Sequence, residues 1–403
     1  LSYLYFPGFQ NIENWKGYNL PVLYPPGFTY IFFFFSKFDY FFLNINTKIY
    51  IKIIFIVFEI ILFTFLFFKS NKKYLVSIIF WINPLIILTG TCLGYSESIS
   101  LCFLIISLFL LNEKKYFLGA SLFILSCSIK QLALVLLPIY FFYFFKNIQI
   151  KKNLIYSFFI IIFIIIGCIP LIFSAENYSI YETLIGFFKN MYWAMFRDYI
   201  TANGLNIWWV YSGVHDVINN LNSGETLINT INNLDLKFFV ISQSNWGFEN
   251  LLSKILIFTL TIINSYILFI RKNYHWFIRI VFFQYFGYVA LATGTHENHS
   301  ILLAYLSLLI LLIDNNFWKI SLIVNIYSFL NLWMFYGFNG DNILRQNLLW
   351  QVSSLLLSIF LILVFLFVYI KFVRKAFYSD KIKVRVTHSS ISMRSSTSSL
   401  FWR

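Results

Sequence analysis

The chain has 403 residues, of which 60% are hydrophobic and 11% charged, and its formal net charge is +14. Water-soluble domains carry about 25% charged residues, so a soluble enzyme is excluded and a polytopic membrane protein is expected. The basic residues fall in short groups between apolar runs, which is the distribution of membrane topology signals and excludes a nucleic-acid surface.

Abundant Phe, Tyr, Ile, Lys and Asn follow an AT-rich coding bias, so aromatic content carries no functional weight. Cys92, Cys102, Cys127 and Cys168 lie in or beside apolar segments without metal-ligand spacing and read as small hydrophobes. Neither a metal nor a cofactor is expected.

The chain opens at Leu1 in a polar, aromatic stretch with no signal-peptide pattern, and a preceding N-terminal piece is expected. Residues 1–47 read as a first loop with interfacial elements. They hold Glu13, Trp15, Tyr18 and Tyr24-Pro25-Pro26-Gly27, where paired prolines fix an extended turn. The aromatic stretch 28–42 then suits a membrane interface.

Apolar runs follow at 49–68, 74–90, 92–112, 116–145 and 153–173, making a transmembrane module over 48–173. The run 116–145 is too long for one crossing and carries Lys130-Gln131 at its middle, so it reads as two helices turning there. Residues 174–250 form a long loop alternating Trp, Tyr and Phe with Asn, as expected of elements resting on a membrane surface. Runs at 251–270, 276–292, 298–313, 317–337 and 346–370 make the C-terminal helices, and 371–403 reads as a basic, Ser-rich, disordered tail.

The expected fold is therefore an all-α membrane bundle with about eleven transmembrane helices, and about twelve with one more before Leu1. Basic groups at 69–73, 113–115, 146–152, 271–272, 319 and 371–375 share one face, which the positive-inside rule makes cytoplasmic. The opposite face receives residues 1–47, Thr91–Glu97, Lys130-Gln131, the loop 174–250, Thr293–Ser300 and Gly337–Arg345.

That opposite face collects most of the ionic groups that a membrane protein must explain. Thr293-Gly294-Thr295-His296-Glu297-Asn298-His299-Ser300 places two histidines, a carboxylate and an amide at a helix mouth. It reads either as ordinary rim polarity or as part of a site. His296 and His299 are three apart and share a helix face, without the HExxH arrangement of zinc sites.

Glu97 begins a helix. It reads either as a base or hydrogen-bond acceptor or as an acid stabilised by the helix dipole. Lys130 can snorkel to headgroups or serve as a cation for a phosphate, and Arg197-Asp198 can be a surface ion pair or a second cation. Glu59 lies mid-helix and reads as a buried helix-helix tie. Together these make an outward cavity suited to a phosphate on a long lipid.

Asn83-Pro84-Leu85, Gly94-Tyr95-Ser96-Glu97-Ser98, Ser128-Ile129-Lys130-Gln131-Leu132-Ala133 and Leu137-Pro138 follow one another in that order. Tyr24-Pro25-Pro26 precedes them, and Asn206-Ile207-Trp208 and His296-Glu297 follow. The pattern resembles the GT-C glycosyltransferases that use polyprenyl-phosphate sugars. The nearest groups are the dolichyl-phosphate-glucose glucosyltransferases of N-glycan assembly and bacterial relatives described as mannosyltransferases.

The resemblance spans about 24–313 and implies hexosyl transfer from a lipid-phosphate donor to an acceptor hydroxyl, with inversion, on the lumenal or periplasmic face. A carboxylate would take the hydroxyl proton while cationic groups stabilise the departing phosphate. It implies a multi-pass protein of the endoplasmic reticulum or bacterial inner membrane, whose partners are membrane lipids, the lipid-linked donor and a glycan or lipid-linked acceptor.

Carried over by position, His296, Lys130 and Arg197 would meet the donor phosphate. Tyr24, Pro25, Gln131, Asn206, Trp208, Glu297 and His299 would line the pocket, and Glu59 occupies an acidic position of the family's second helix. The family's catalytic aspartate follows its first transmembrane helix, ahead of Leu1. Glu97 and Glu13 are the substitutes within this sequence. Tyr95 stands where the family often has Gln. A transporter or lipid flippase, and a polymerase or ligase for lipid-linked glycans, are the rival readings.

Overall fold

A computed structural model describes residues 14–15, 18–19, 31, 47–93, 97–148, 201–202, 204–226, 229, 247–271, 273–296, 298–337 and 348–393. Glu13, Tyr24, Pro25, Tyr95, Cys168, Arg197, Asp198 and Glu297, together with the 153–173 run, lie outside them.

Among the described residues the architecture is all-α, with twelve helices. The first six are α1 (Thr47–Lys69), α2 (Lys73–Ile82), α3 (Pro84–Ile87), α4 (Glu97–Asn112), α5 (Tyr116–Ile129) and α6 (Leu137–Asn147). After α7 (Ile207–Asn222) come α8 (Gly247–Ile270), α9 (Tyr274–Leu291), α10 (His299–Ile313), α11 (Trp318–Tyr336) and α12 (Leu348–Met393). Strands β1 (Asn14–Trp15) and β2 (Tyr18–Asn19) pair antiparallel, whereas β3 (Thr201–Ala202) and β4 (Thr295–His296) pair parallel.

Among the described residues two helices, Gly247–Ile270 and Val352–Phe377, are long and apolar enough to cross a membrane, or three if a bent pair counts as one span. That pair is Lys73–Ile82 with Pro84–Gly90, bent by 48°, so the single rod expected over 74–90 is broken. Pro84 cannot continue α2, and the Asn83 side chain instead accepts from the Leu85 N–H to start α3. A π-helical stretch, Leu88–Leu93, follows.

The run 116–145 divides where its length and Lys130-Gln131 predict. Lys130 is extended, and a 3-10 segment, Gln131–Leu136, leads into α6. Rings pair in reverse order, Phe123 on Tyr140 at 3.8 Å and Tyr116 against Phe144 at 6.4 Å, so the two arms run antiparallel.

The tail departs from expectation. With no Gly or Pro between Leu348 and Met393, the helix continues past Lys371 to Met393 instead of becoming disordered.

Helices in this molecule meet through small and hydroxyl residues, as apolar-on-apolar packing requires. Ser100 and Ser126 exchange hydrogen bonds between α4 and α5, and Ser107 donates to the Gly119 carbonyl at 2.6 Å. A Cβ on Gly119 would lie 2.6 Å from the Leu111 side chain, so a larger residue would have to displace Leu111 to keep this approach. Between α10 and α11, Asn325 reaches Ser307 and accepts from Asn83, while Ser328 donates to the Ser300 carbonyl. Meanwhile Phe68, Phe141, Phe145, Phe258, Phe269, Leu363 and Phe367 stand more than half exposed, so the bundle is apolar outside as well as inside.

The bundle has two chemically distinct ends. At one end Lys69 and Lys115 both pair with Glu113, Lys72 donates to the Leu311 carbonyl and Asn315, and Arg279 pairs with Asp314 at 2.5 Å. Lys146 caps the last carbonyls of α8 and Arg271 donates to the Ala376 carbonyl. Hydrogen bonds from Lys115 and then Lys69 hold the Glu113 carboxyl below its ordinary range. Burial pushes Asp314 up, but the Asn316 N–H and Arg279 outweigh it and leave Asp314 lowered. The other end carries the candidate site.

Candidate functional site

Helices α4 and α5 run antiparallel, so the start of one meets the finish of the other. Glu97 is the first residue of α4 and Lys130 caps the end of α5. A carboxylate at a helix N-terminus and an ammonium at a C-terminus are each favoured by the macrodipole, and here the two form a buried ion pair. Glu97 is 2% exposed and Lys130 6%. Lys130 is therefore committed to a carboxylate, and the second carboxylate oxygen, Glu97 Oε2, accepts no hydrogen bond among the described residues.

The histidine segment lies at the same end of the bundle as this pair. His299 opens α10, which packs on α4, while α9 packs on the 3-10 segment that begins at Gln131. The Tyr285 hydroxyl donates to the His299 carbonyl at 3.1 Å and lies within electrostatic reach of Glu97. Tyr288 stacks on the His299 ring with its hydroxyl 3.2 Å from Nδ1, and the His296 N–H donates to that same Nδ1 at 3.3 Å. An Nδ1 that accepts leaves the proton on Nε2. The His296 ring meets it edge-on at 5.3 Å.

The turn between α9 and α10 is held from the large loop. β3 pairs Thr201 with Thr295 and Ala202 with His296. Gly204 passes so close that a Cβ would lie 2.5 Å from Thr295 Oγ1, and Gly294 turns the chain with φ of 69°. Asn206 caps α7 through its oxygen and donates to the Ala292 carbonyl and Thr295 Oγ1 at 2.9 and 2.7 Å. Trp208 donates to the Leu291 carbonyl at 2.7 Å. Asn206 and Trp208 are thus buried props of the His296 turn, where the sequence suggested pocket walls.

Glu59 is a helix-helix tie, as expected, but its partner is informative. Ser98, next to Glu97, donates to Glu59 Oε1 at 2.8 Å. Gly90 leaves the space for this carboxylate, since a Cβ there would lie 2.3 Å from Oε2. Glu59 also lines a groove of about 300 Å³ walled by Ile56, Ile60, Phe63, Phe80, Trp81 and Ile87.

The structure thus gathers Glu97, Lys130, Gln131, His296 and His299 at one end. It adds Tyr285, Tyr288 and Ser98, which sequence reasoning passed over. The two tyrosines share a face of α9 at i and i+3, a signal lost in an aromatic background. No protein-family model matches the chain, and no curated protein is similar to it in sequence.

Proposed function

We propose that this chain is a multi-pass membrane hexosyltransferase, with about eleven crossings, that moves one sugar from a polyprenyl- or dolichyl-phosphate to an acceptor hydroxyl. What carries the reading is the convergence of a buried, ion-paired carboxylate and a histidine pair at the end opposite the exposed Lys–Glu and Arg–Asp pairs. The exposed basic end fits the cytoplasmic side, so the reactive groups face the lumen or periplasm.

In this mechanism Glu97 accepts the acceptor hydroxyl's proton through Oε2 as the oxygen attacks the anomeric carbon. The bond from that carbon to the phosphate oxygen breaks with inversion, and the lipid phosphate departs. In this reading His296 and His299 would donate to the charge growing on that phosphate. Since Lys130 is paired with Glu97, its part is to hold and neutralise the carboxylate.

The test supplies purified protein in nanodiscs with a labelled polyprenyl-phosphate glucose or mannose and a lipid-linked glycan acceptor. Transfer of a single hexose supports the reading. Movement of the intact lipid without transfer would support the transporter reading, which the bent helix at Pro84 favours. A requirement for a lipid-diphosphate glycan donor would indicate a ligase.

A further inference from the structure

We infer that the groove beside Glu59 binds an amphiphile with an ammonium head, at a site separate from the histidine end. The site goes beyond hexosyl transfer and needs only a membrane setting. The groove encloses about 300 Å³, the lower end of ligand-pocket size, and such pockets are apolar with a few placed polar groups. Its walls come from α1, α2 and α3, on both sides of the break at Pro84. Ile60, Trp81 and Ile87 stand exposed along it, so it opens on the apolar outside of the bundle.

Glu59 sits at the middle of the 23-residue helix α1, about 15–18 Å from either end. A carboxylate at that depth is costly and calls for a partner. Among the described residues Ser98 donates to it at 2.8 Å, and no Lys, Arg or His pairs with it. Two cations of the neighbourhood have other duties. Lys52, two turns earlier on the same face of α1, donates to the Cys92 carbonyl at 2.7 Å. Lys130 is paired with Glu97, the residue before Ser98. The fold nevertheless keeps room for the Glu59 carboxylate, which rests against Gly90 in the π-helical stretch Leu88–Leu93. Such stretches collect at functional sites.

Charge and ring chemistry together fix the class of ligand. A phosphate or carboxylate head would be repelled by Glu59, and a neutral alcohol would leave its charge unbalanced. An ammonium group balances it. Phe63, Phe80 and Trp81 add aromatic rings to the same walls, with Phe63 5.7 Å from Phe80 and 5.5 Å from Trp81. Aromatic faces attract ammonium groups. The aliphatic walls and the outward opening then take an alkyl body, which favours a long-chain amine over a small soluble cation.

The test uses a long-chain amine carrying a diazirine, photocrosslinked to the full chain in zwitterionic nanodiscs, with hexadecylamine and hexadecanol as competitors. Crosslinks should fall on residues 56–63 and 80–87, and hexadecylamine should suppress them at about tenfold lower mole fraction than hexadecanol. Glu59→Gln, which keeps an oxygen for Ser98, should abolish that tenfold preference. Ile60→Trp keeps the carboxylate but narrows the groove at an exposed position, and it should lower crosslinking at both segments.

Crosslinks spread over other helices, or unchanged in Ile60→Trp, overturn the groove as the site. Equal competition by amine and alcohol in wild type, or a preference that survives Glu59→Gln, overturns recognition of the ammonium group. Neither result bears on hexose transfer, which is measured without the amine.

Discussion

The two ends of the bundle use the same residue types in opposite ways. At the basic end, Glu113 and Asp314 meet lysines and an arginine at partly exposed connections, and each carboxylate is served by more than one donor. At the histidine end, Glu97 and Lys130 are buried, and one carboxylate oxygen has no donor among the described residues. Solvent-screened pairs contribute little to stability and mark where the chain emerges. A buried pair is costly to assemble and costlier to break, so an incomplete one points to a ligand. The contrast teaches that the location of charge, more than its amount, sets the two ends of this molecule apart.

The sharpest way to break the comparison is Lys130→Met. It strands a buried carboxylate, and the expected loss is about 3–5 kcal/mol in denaturant or thermal unfolding. Glu97→Gln combined with Lys130→Met should recover much of that loss, and failure to recover would remove the pair from the account. Next in size, His299→Gln or His296→Ala should cut hexose transfer by about 10²–10³-fold, the usual effect of removing one charge-stabilising donor. Retained thermal stability would assign that loss to chemistry.

Asn206→Ala removes both the cap of α7 and the support of the 292–295 turn. We expect about 1–2 kcal/mol of destabilisation, with a fall in transfer although Asn206 is placed away from the substrate. At the basic end, Glu113→Gln should change stability by less than about 1 kcal/mol and leave transfer unchanged.

Acidification sharpens the same contrast. Glu113 and Asp314 have pKa values lowered by folding, so their stabilisation is present above the unfolded carboxylate range, about pH 4, and is lost as pH falls through the lower folded values. Thermal unfolding between about pH 5 and pH 2 should show this loss, and Glu113→Gln should reduce it.

Much of this organisation was legible in order and little of it in contact. The length of the run 116–145, interrupted by Lys130-Gln131, gave away the turn, because a lysine and an amide cannot sit in mid-membrane without cause. The histidine segment announced itself by polarity between two apolar runs. The pairing of Lys130 with Glu97 was hidden, since residues 33 apart meet only when α4 and α5 fold back on each other. Sequence position suggested a phosphate for Lys130, and antiparallel packing supplied a carboxylate first.

The bend at Pro84 was visible as a proline but not as a break, because the apolar run continued through it. The helix to Met393 was missed because serine content at the end of the tail masked good helix formers before it. Asn206 and Trp208 were noticed in the sequence, but their part in holding the 291–295 turn was not legible there. Nothing local reveals that their donors face the carbonyls of a distant turn.

The most direct measurement is the rate of hexose transfer from a polyprenyl-phosphate sugar by purified wild type, Glu97→Gln, His299→Gln and Glu113→Gln in the same nanodiscs. The account predicts transfer by wild type and Glu113→Gln and a loss of about 10²-fold or more in the other two. Equal rates in all four, or no transfer by wild type with donor and acceptor both bound, would contradict it.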